Sequence, residues 1–161
     1  LARRYPSLRM AGGDAAVPTR WLTVKGETAW FTTRDPGTDE YVLYVIQLER
    51  QTGEWLLTGG YAGEAVTAHG ATASGFAPDR GMTKSIIARA SYTIGPTRDA
   101  AFETAIRQNG DGVYARGQYS WTHGDHWRTT VTAALLAGRA GDFIGQYSRN
   151  DNLTLTLRYS Y

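Results

Sequence analysis

The chain has 161 residues, 42% hydrophobic and 20% charged, which excludes a disordered polymer and suits one domain or part of a larger one. A formal net charge of +2 without a basic arm argues against nucleic acid, and the lack of Cys excludes disulfides and thiolate metal sites. With 19 Gly, 10 Tyr and 5 Trp but no apolar run of about 18 residues, the sequence predicts an all-β fold without a transmembrane helix. That leaves transmembrane β-strands open, since these need only roughly 9–11 residues with apolar side chains at alternate positions.

In chain order, Leu1-Ala-Arg-Arg-Tyr-Pro leads into no apolar core of a secretory signal, so an exported protein would be read here as a mature or truncated chain. Leu8, Met10 and Gly12 then alternate with Arg9, Ala11 and Gly13 over residues 7–17, and "VPTR" (17–20) suits a tight turn. Leu22, Val24, Gly26, Thr28 and Trp30 oppose Thr23, Lys25, Glu27 and Ala29. Val42, Tyr44, Ile46 and Leu48 oppose Leu43, Val45, Gln47 and Glu49. Trp55, Leu57, Gly59 and Tyr61 oppose Leu56, Thr58, Gly60 and Ala62.

The second half repeats the pattern. Ile86, Ala88, Ala90 and Tyr92 face away from Ser85, Arg89, Ser91 and Thr93. Phe102, Thr104 and Ile106 oppose Glu103 and Arg107. Val113, Ala115, Tyr119 and Trp121 oppose Arg116, Gln118 and Ser120. Trp127, Val131, Ala133 and Leu135 oppose Arg128, Thr130 and Thr132. Leu153, Leu155, Leu157, Tyr159 and Tyr161 oppose Thr154, Thr156, Arg158 and Ser160. Period-two alternation at this spacing predicts a run of antiparallel strands.

The connectors alternate in length. "RQTGE" (50–54), "IGPTRD" (94–99) and "THGD" (122–125) are tight, whereas residues 34–40, 64–82 and 138–151 make longer links, with "QNGDG" at 108–112. An up-and-down membrane barrel has this asymmetry, with short periplasmic turns and longer outer loops. Aromatic residues near strand ends (Trp21, Trp30, Trp55, Tyr92, Trp121, Trp127, Tyr159 and Tyr161) predict two girdles at the membrane boundaries. The competing reading is a soluble sandwich or lipocalin-like barrel with these aromatics in its core. It leaves one face to be covered, and the chain supplies no second layer. A lipid exterior and a wet interior account for both faces.

The closing stretch "LTLTLRYSY" resembles the final strand of bacterial outer-membrane β-barrels, specifically the C-terminal part of large porin-like proteins. "DFIGQYSRND" (142–151) and "VKGETAWF" (24–31) resemble segments of one porin-like group. The resemblance implies that Tyr159 and Tyr161 belong to a terminal signal read by the barrel-insertion machinery. It also implies an outer-membrane location in a Gram-negative bacterium, in contact with membrane lipid and lipopolysaccharide.

Counting residues 7–17 gives nine strands, an odd number, so residues 1–161 are expected to form part of one transmembrane β-barrel domain, the C-terminal portion of a larger barrel. The missing strands would come from the same or another chain. The alternative treats residues 1–20 as a periplasmic arm on a closed eight-stranded barrel.

Chemistry is sparse. His123, Asp125 and His126 flank one turn, and His69 shares a loop with Ser74 and Asp79, but neither set has the fixed geometry of a metal site or a Ser–His–Asp relay. Asp35, Asp39 and Glu40, or Asp111 with Asn109, could hold a cation loosely, yet Asp and Asn favour turns for backbone reasons. No enzyme, cofactor or metal centre is expected. The polar face reads instead as the wall of a pore: Lys25, Glu27, Glu49, Arg89, Glu103, Arg107, Arg116, Arg128 and Arg158 interleave both signs, with Glu103 in reach of Arg89 or Arg116. The expected function is passive passage of small solutes, with residues 64–82 as a long extracellular loop forming a constriction or lid. Two other functions remain: a structural barrel that anchors or sleeves a partner protein, and a lipid-modifying enzyme. The protein would occur alone, as a homo-oligomer, or around a partner in its lumen.

Overall fold

A computed structural model describes residues 7–70 and 82–161, which form one antiparallel sheet of nine strands. These are β1 (Leu8–Pro18), β2 (Thr23–Thr33), β3 (Glu40–Thr52), β4 (Trp55–Ala68), β5 (Ser85–Thr93), β6 (Arg98–Arg107), β7 (Gly112–His123), β8 (Trp127–Gly138) and β9 (Asn152–Tyr159). Among the described residues the only helical element is a single 3-10 turn, Gly145–Tyr147, and no helix is long and apolar enough to cross a membrane. Every strand pairs with its sequence neighbours, in the order β1 to β9 without crossovers. The all-β, up-and-down expectation therefore holds.

The sheet is not closed: β1 pairs only with β2 and β9 only with β8. This overturns the closed eight-stranded alternative. The stretch it assigned to an arm is a full strand, in register with β2 from Leu8↔Thr33 to Pro18↔Thr23. Because nine is odd, β1 and β9 run in the same direction.

Local chemistry sets the hairpins. At the β3–β4 turn Gly53 has φ +56, and Gly at the first of two central residues is the signature of a type II′ turn, whose twist matches that of the strands. Between β1 and β2, the Thr19 hydroxyl accepts from the Leu22 amide at 3.1 Å, and the Thr19 amide donates to the Leu22 carbonyl at 2.9 Å. The β5–β6 and β7–β8 links are equally tight, so all four tight turns lie at one end of the sheet. The remaining links, three of them longer, gather at the other end. Strands run further than their alternation alone predicts: β4 continues to Ala68, taking in the start of the expected 64–82 loop. Residues 71–81 of that loop, with Ser74 and Asp79, lie outside the described residues.

Register decides which side chains share a face. Val24, Leu48, Gly59, Ala88, Thr104, Ala115 and Leu135 follow one another across β2–β8, as do Lys25 and Gln47 on the opposite side. On β1 it is Ala11, Gly13, Ala15 and Val17 that join the apolar face, while Leu8, Met10, Gly12 and Asp14 join the polar one. Among the described residues, buried hydrophobic side chains are few: Tyr41, Ala105, Ala134 and Ile144. The fold is held by its ladder and by cross-strand pairs, with almost no apolar interior.

Candidate functional site

One face of the sheet is apolar and exposed. Ile46, Leu48, Leu57, Ile86, Phe102, Leu135, Leu153, Leu155 and Leu157 all project from it with 40% or more of their surface open. Its charged strand residues, Arg9, Glu40, Arg50 and Arg98, stand near the strand ends. From Trp127 to Leu135 this face spans about 26 Å along β8, or ~20 Å of height at the ~40° tilt usual for barrel strands. That approaches the roughly 25 Å apolar band of an outer-membrane barrel.

On this face aromatic residues are dense at the tight-turn end and sparse at the other. Trp55 packs on Tyr92 (ring centroids 4.6 Å apart), Tyr119 on Trp121 (5.6 Å) and Trp127 on Tyr159 (4.9 Å), all as neighbours on the apolar face. Toward the long-loop end the same face carries Trp30 and the Tyr44–Tyr61 pair (6.3 Å). Tyr44 lies over Gly63, where a Cβ would overlap its ring, so a glycine is what lets this aromatic lie flat. Beyond β4 that end is aliphatic, with Ile106, Val113, Leu135 and Leu153.

The opposite face holds the expected charged residues, most of them in paired sets. Lys25 Nζ lies 2.8 Å from Glu49 Oε2. Glu103 sits directly between Arg89 on β5 and Arg116 on β7, and it meets both: Arg89 Nη1 is 3.7 Å from Oε2, and Arg116 Nη1 is 3.3 Å from Oε1. The Tyr114 hydroxyl also donates to Glu103 Oε1 at 2.9 Å. From Arg116 the polar chain continues through Gln118 (3.3 Å) and Ser120 to Thr130 (3.0 Å). Arg128 pairs with Asp99 and lies directly opposite Arg158, while Glu27 lies opposite Asp14. Alternation gave the members of this face. It missed Tyr114, although Tyr114 shares a strand and a face with Arg116, because attention to charge passed over a phenol.

Arg107 differs from the rest. Its side chain is 2% exposed and its Nε lies 2.9 Å from Asp142 Oδ2, itself 2% exposed, on the β8–β9 connection. Arg107 also donates to the Thr83 carbonyl, and Asp142 Oδ1 accepts from the Ile144 amide at 2.9 Å. Arg139, at the start of the same connection, pairs with Asp111 at 3.2 Å. The 139–151 segment is thereby bound to the β6–β7 end of the sheet, with Asp142, Ile144 and Gly145 buried. Arg107 thus sits beneath a loop and not on an open surface.

Several of the His, Asp and Asn side chains singled out for catalysis or metal binding make local contacts. His123 stands edge-on to Trp121, and His126 Nδ1 is 2.9 Å from the Ser160 carbonyl. Asp35 accepts from the Gly37 amide, Asn109 from the Asp111 amide, and Asp39 from the Gly70 amide. His69 Nδ1 lies 3.6 Å from Asp39. Among the described residues no three His, Asp or Glu side chains gather as a metal site would require.

The geometry defines an open, all-β sheet with one apolar face and one ion-paired polar face. The chain matches no protein-family model, no curated protein and no solved structure. Its likeness to porin-like barrels therefore rests on the residues quoted above.

Proposed function

We propose that this sheet is part of the wall of a porin-like channel in the outer membrane of a Gram-negative bacterium, passing small solutes passively. The observation that carries the reading is the division of the two faces. The exposed apolar face bears charge only near its ends, which suits lipid and lipopolysaccharide, and the opposite face carries ion pairs in mid-strand, which suits water. In lipid each unpaired backbone group costs several kcal/mol, so both free edges call for further strands that complete the wall. Tyr159 and Tyr161 act as the terminal signal for the insertion machinery. The test is a salt-gradient conductance measurement on natively extracted protein in a planar bilayer. Stable current steps are expected, and silence from correctly folded, heat-modifiable protein would refute the channel.

A second reading has one observation in its favour. On the polar face Met10, Phe31, Tyr41 and Val66 form an apolar row, with Phe31 stacked on Tyr41 at 4.8 Å and Met10 66% exposed. A barrel that anchors or sleeves a protein would use such a row. Stoichiometric co-purification of a second polypeptide through detergent would favour it over a free channel.

A further inference from the structure

Two adjacent rows cross the middle of the polar face. Gln47, Gly60, Ile87, Ala105 and Tyr114 are in register across β3–β7, and Glu49, Thr58, Arg89, Glu103 and Arg116 form the next row toward the tight turns. β4 borders this place only with the short side chain of Thr58, between taller neighbours. A hollow of about 360 Å³ lies at this place, bordered by Ile87, Ala105 and Met82 on its apolar side and by Gln47, Glu49, Arg89, Glu103 and Tyr114 on its polar side.

Glu49 is held by Lys25 at 2.8 Å, so the row with Lys25 sets three cations against two carboxylates, and Arg89 and Arg116 share Glu103 unequally. Glu103 Oε1 takes hydrogen bonds from Tyr114 (2.9 Å) and Arg116 (3.3 Å), whereas Arg89 stands 3.7 Å from Oε2, beyond hydrogen-bond range. The Arg89 side chain is 53% exposed at the edge of the hollow. Its planar fork of donors is built to hold a carboxylate by two parallel bonds.

We infer that this hollow is a binding station for small organic carboxylates with an apolar body. The carboxylate docks on Arg89, and the hydrocarbon part lies on Ile87, Ala105 and Met82. A bare inorganic anion gains the first contact only. The station rests on the channel reading for its access route, and it gives that channel a solute class.

The test uses natively extracted protein in detergent, titrated calorimetrically with hexanoate and with acetate against an empty-micelle blank, alongside block of bilayer current by the same anions. Hexanoate is expected to bind at least roughly tenfold tighter than acetate, because several methylenes leave water. Arg89→Gln should weaken hexanoate by about tenfold or more, as loss of a charge-assisted bond does. Glu103→Gln, which frees both guanidinium groups, should tighten it, and this second variant decides the matter if the first does not fold. Equal binding by wild type and R89Q, or equal binding of the two anions, overturns the station. Calorimetric binding without any bilayer current would sink the channel and leave the station standing; current with no hexanoate binding would do the reverse.

Discussion

The Arg107–Asp142 pair is the most buried ionic contact described, and its removal is a sharp test of how the 139–151 segment is held. In Asp142→Ala the guanidinium, 2% exposed, loses this carboxylate but keeps its bond to the Thr83 carbonyl, and breaking a buried ion pair from one side costs at most about 3–5 kcal/mol. The Ile144 amide also loses its acceptor, adding about 1 kcal/mol. The sum, ~4–6 kcal/mol, is an upper figure, since water can reach Arg107 if the segment lifts away. Reversible urea unfolding from phospholipid vesicles reads the loss: at a slope of about 2 kcal/mol/M the midpoint should fall by up to roughly 2–3 M. The double replacement Arg107→Met with Asp142→Leu removes both charges and should recover to within about 1–2 kcal/mol of wild type. If Asp142→Ala unfolds within about 0.5 kcal/mol of wild type, the burial argument is wrong.

Other outcomes follow from the two faces. Leu155→Arg, in mid-strand on the apolar face, should cost about 2–4 kcal/mol in the same vesicle titration, whereas Thr154→Arg beside it should cost less than about 1 kcal/mol. Equal losses would contradict the assignment of faces. Gly63→Ala should displace the Tyr44 ring and lose about 1–3 kcal/mol, and a cycle with Tyr44→Ala should show the two changes to be strongly non-additive. Tyr161→Ser should lower the yield of membrane-inserted protein in cells while leaving the unfolding midpoint of the inserted fraction nearly unchanged; a normal yield would remove Tyr161 from the insertion signal.

Period two made the strands legible, and with them the partition of Lys25, Glu49, Arg89, Glu103 and Arg116 onto one face. The Glu103 pairs followed because sequential hairpins put β5, β6 and β7 side by side. What alternation could not carry was depth. Arg107 occupies an inner position like any other, and nothing within its own strand says that Asp142, 35 residues on, will cover it. The faces of β1 were open for a related reason: Leu8, Met10 and Gly12 are no more polar than Ala11, Gly13 and Ala15, so only pairing with β2 decides them. Strand ends were blurred because Ala65 and Ala68 extend a ladder without announcing it.

The shared direction of β1 and β9 limits how such a wall can be completed. Two copies set side by side in a bilayer keep the same orientation across it, so a two-fold axis along the membrane normal leaves every strand pointing as before. Joining β9 to its own copy, β1 to its own copy, or β1 to β9 would in each case make a parallel seam in a sheet that is otherwise antiparallel throughout. Copies of this sheet alone therefore cannot make an all-antiparallel cylinder. An odd number of additional strands between the two edges can, and the parity of that insertion is fixed before its sequence is known.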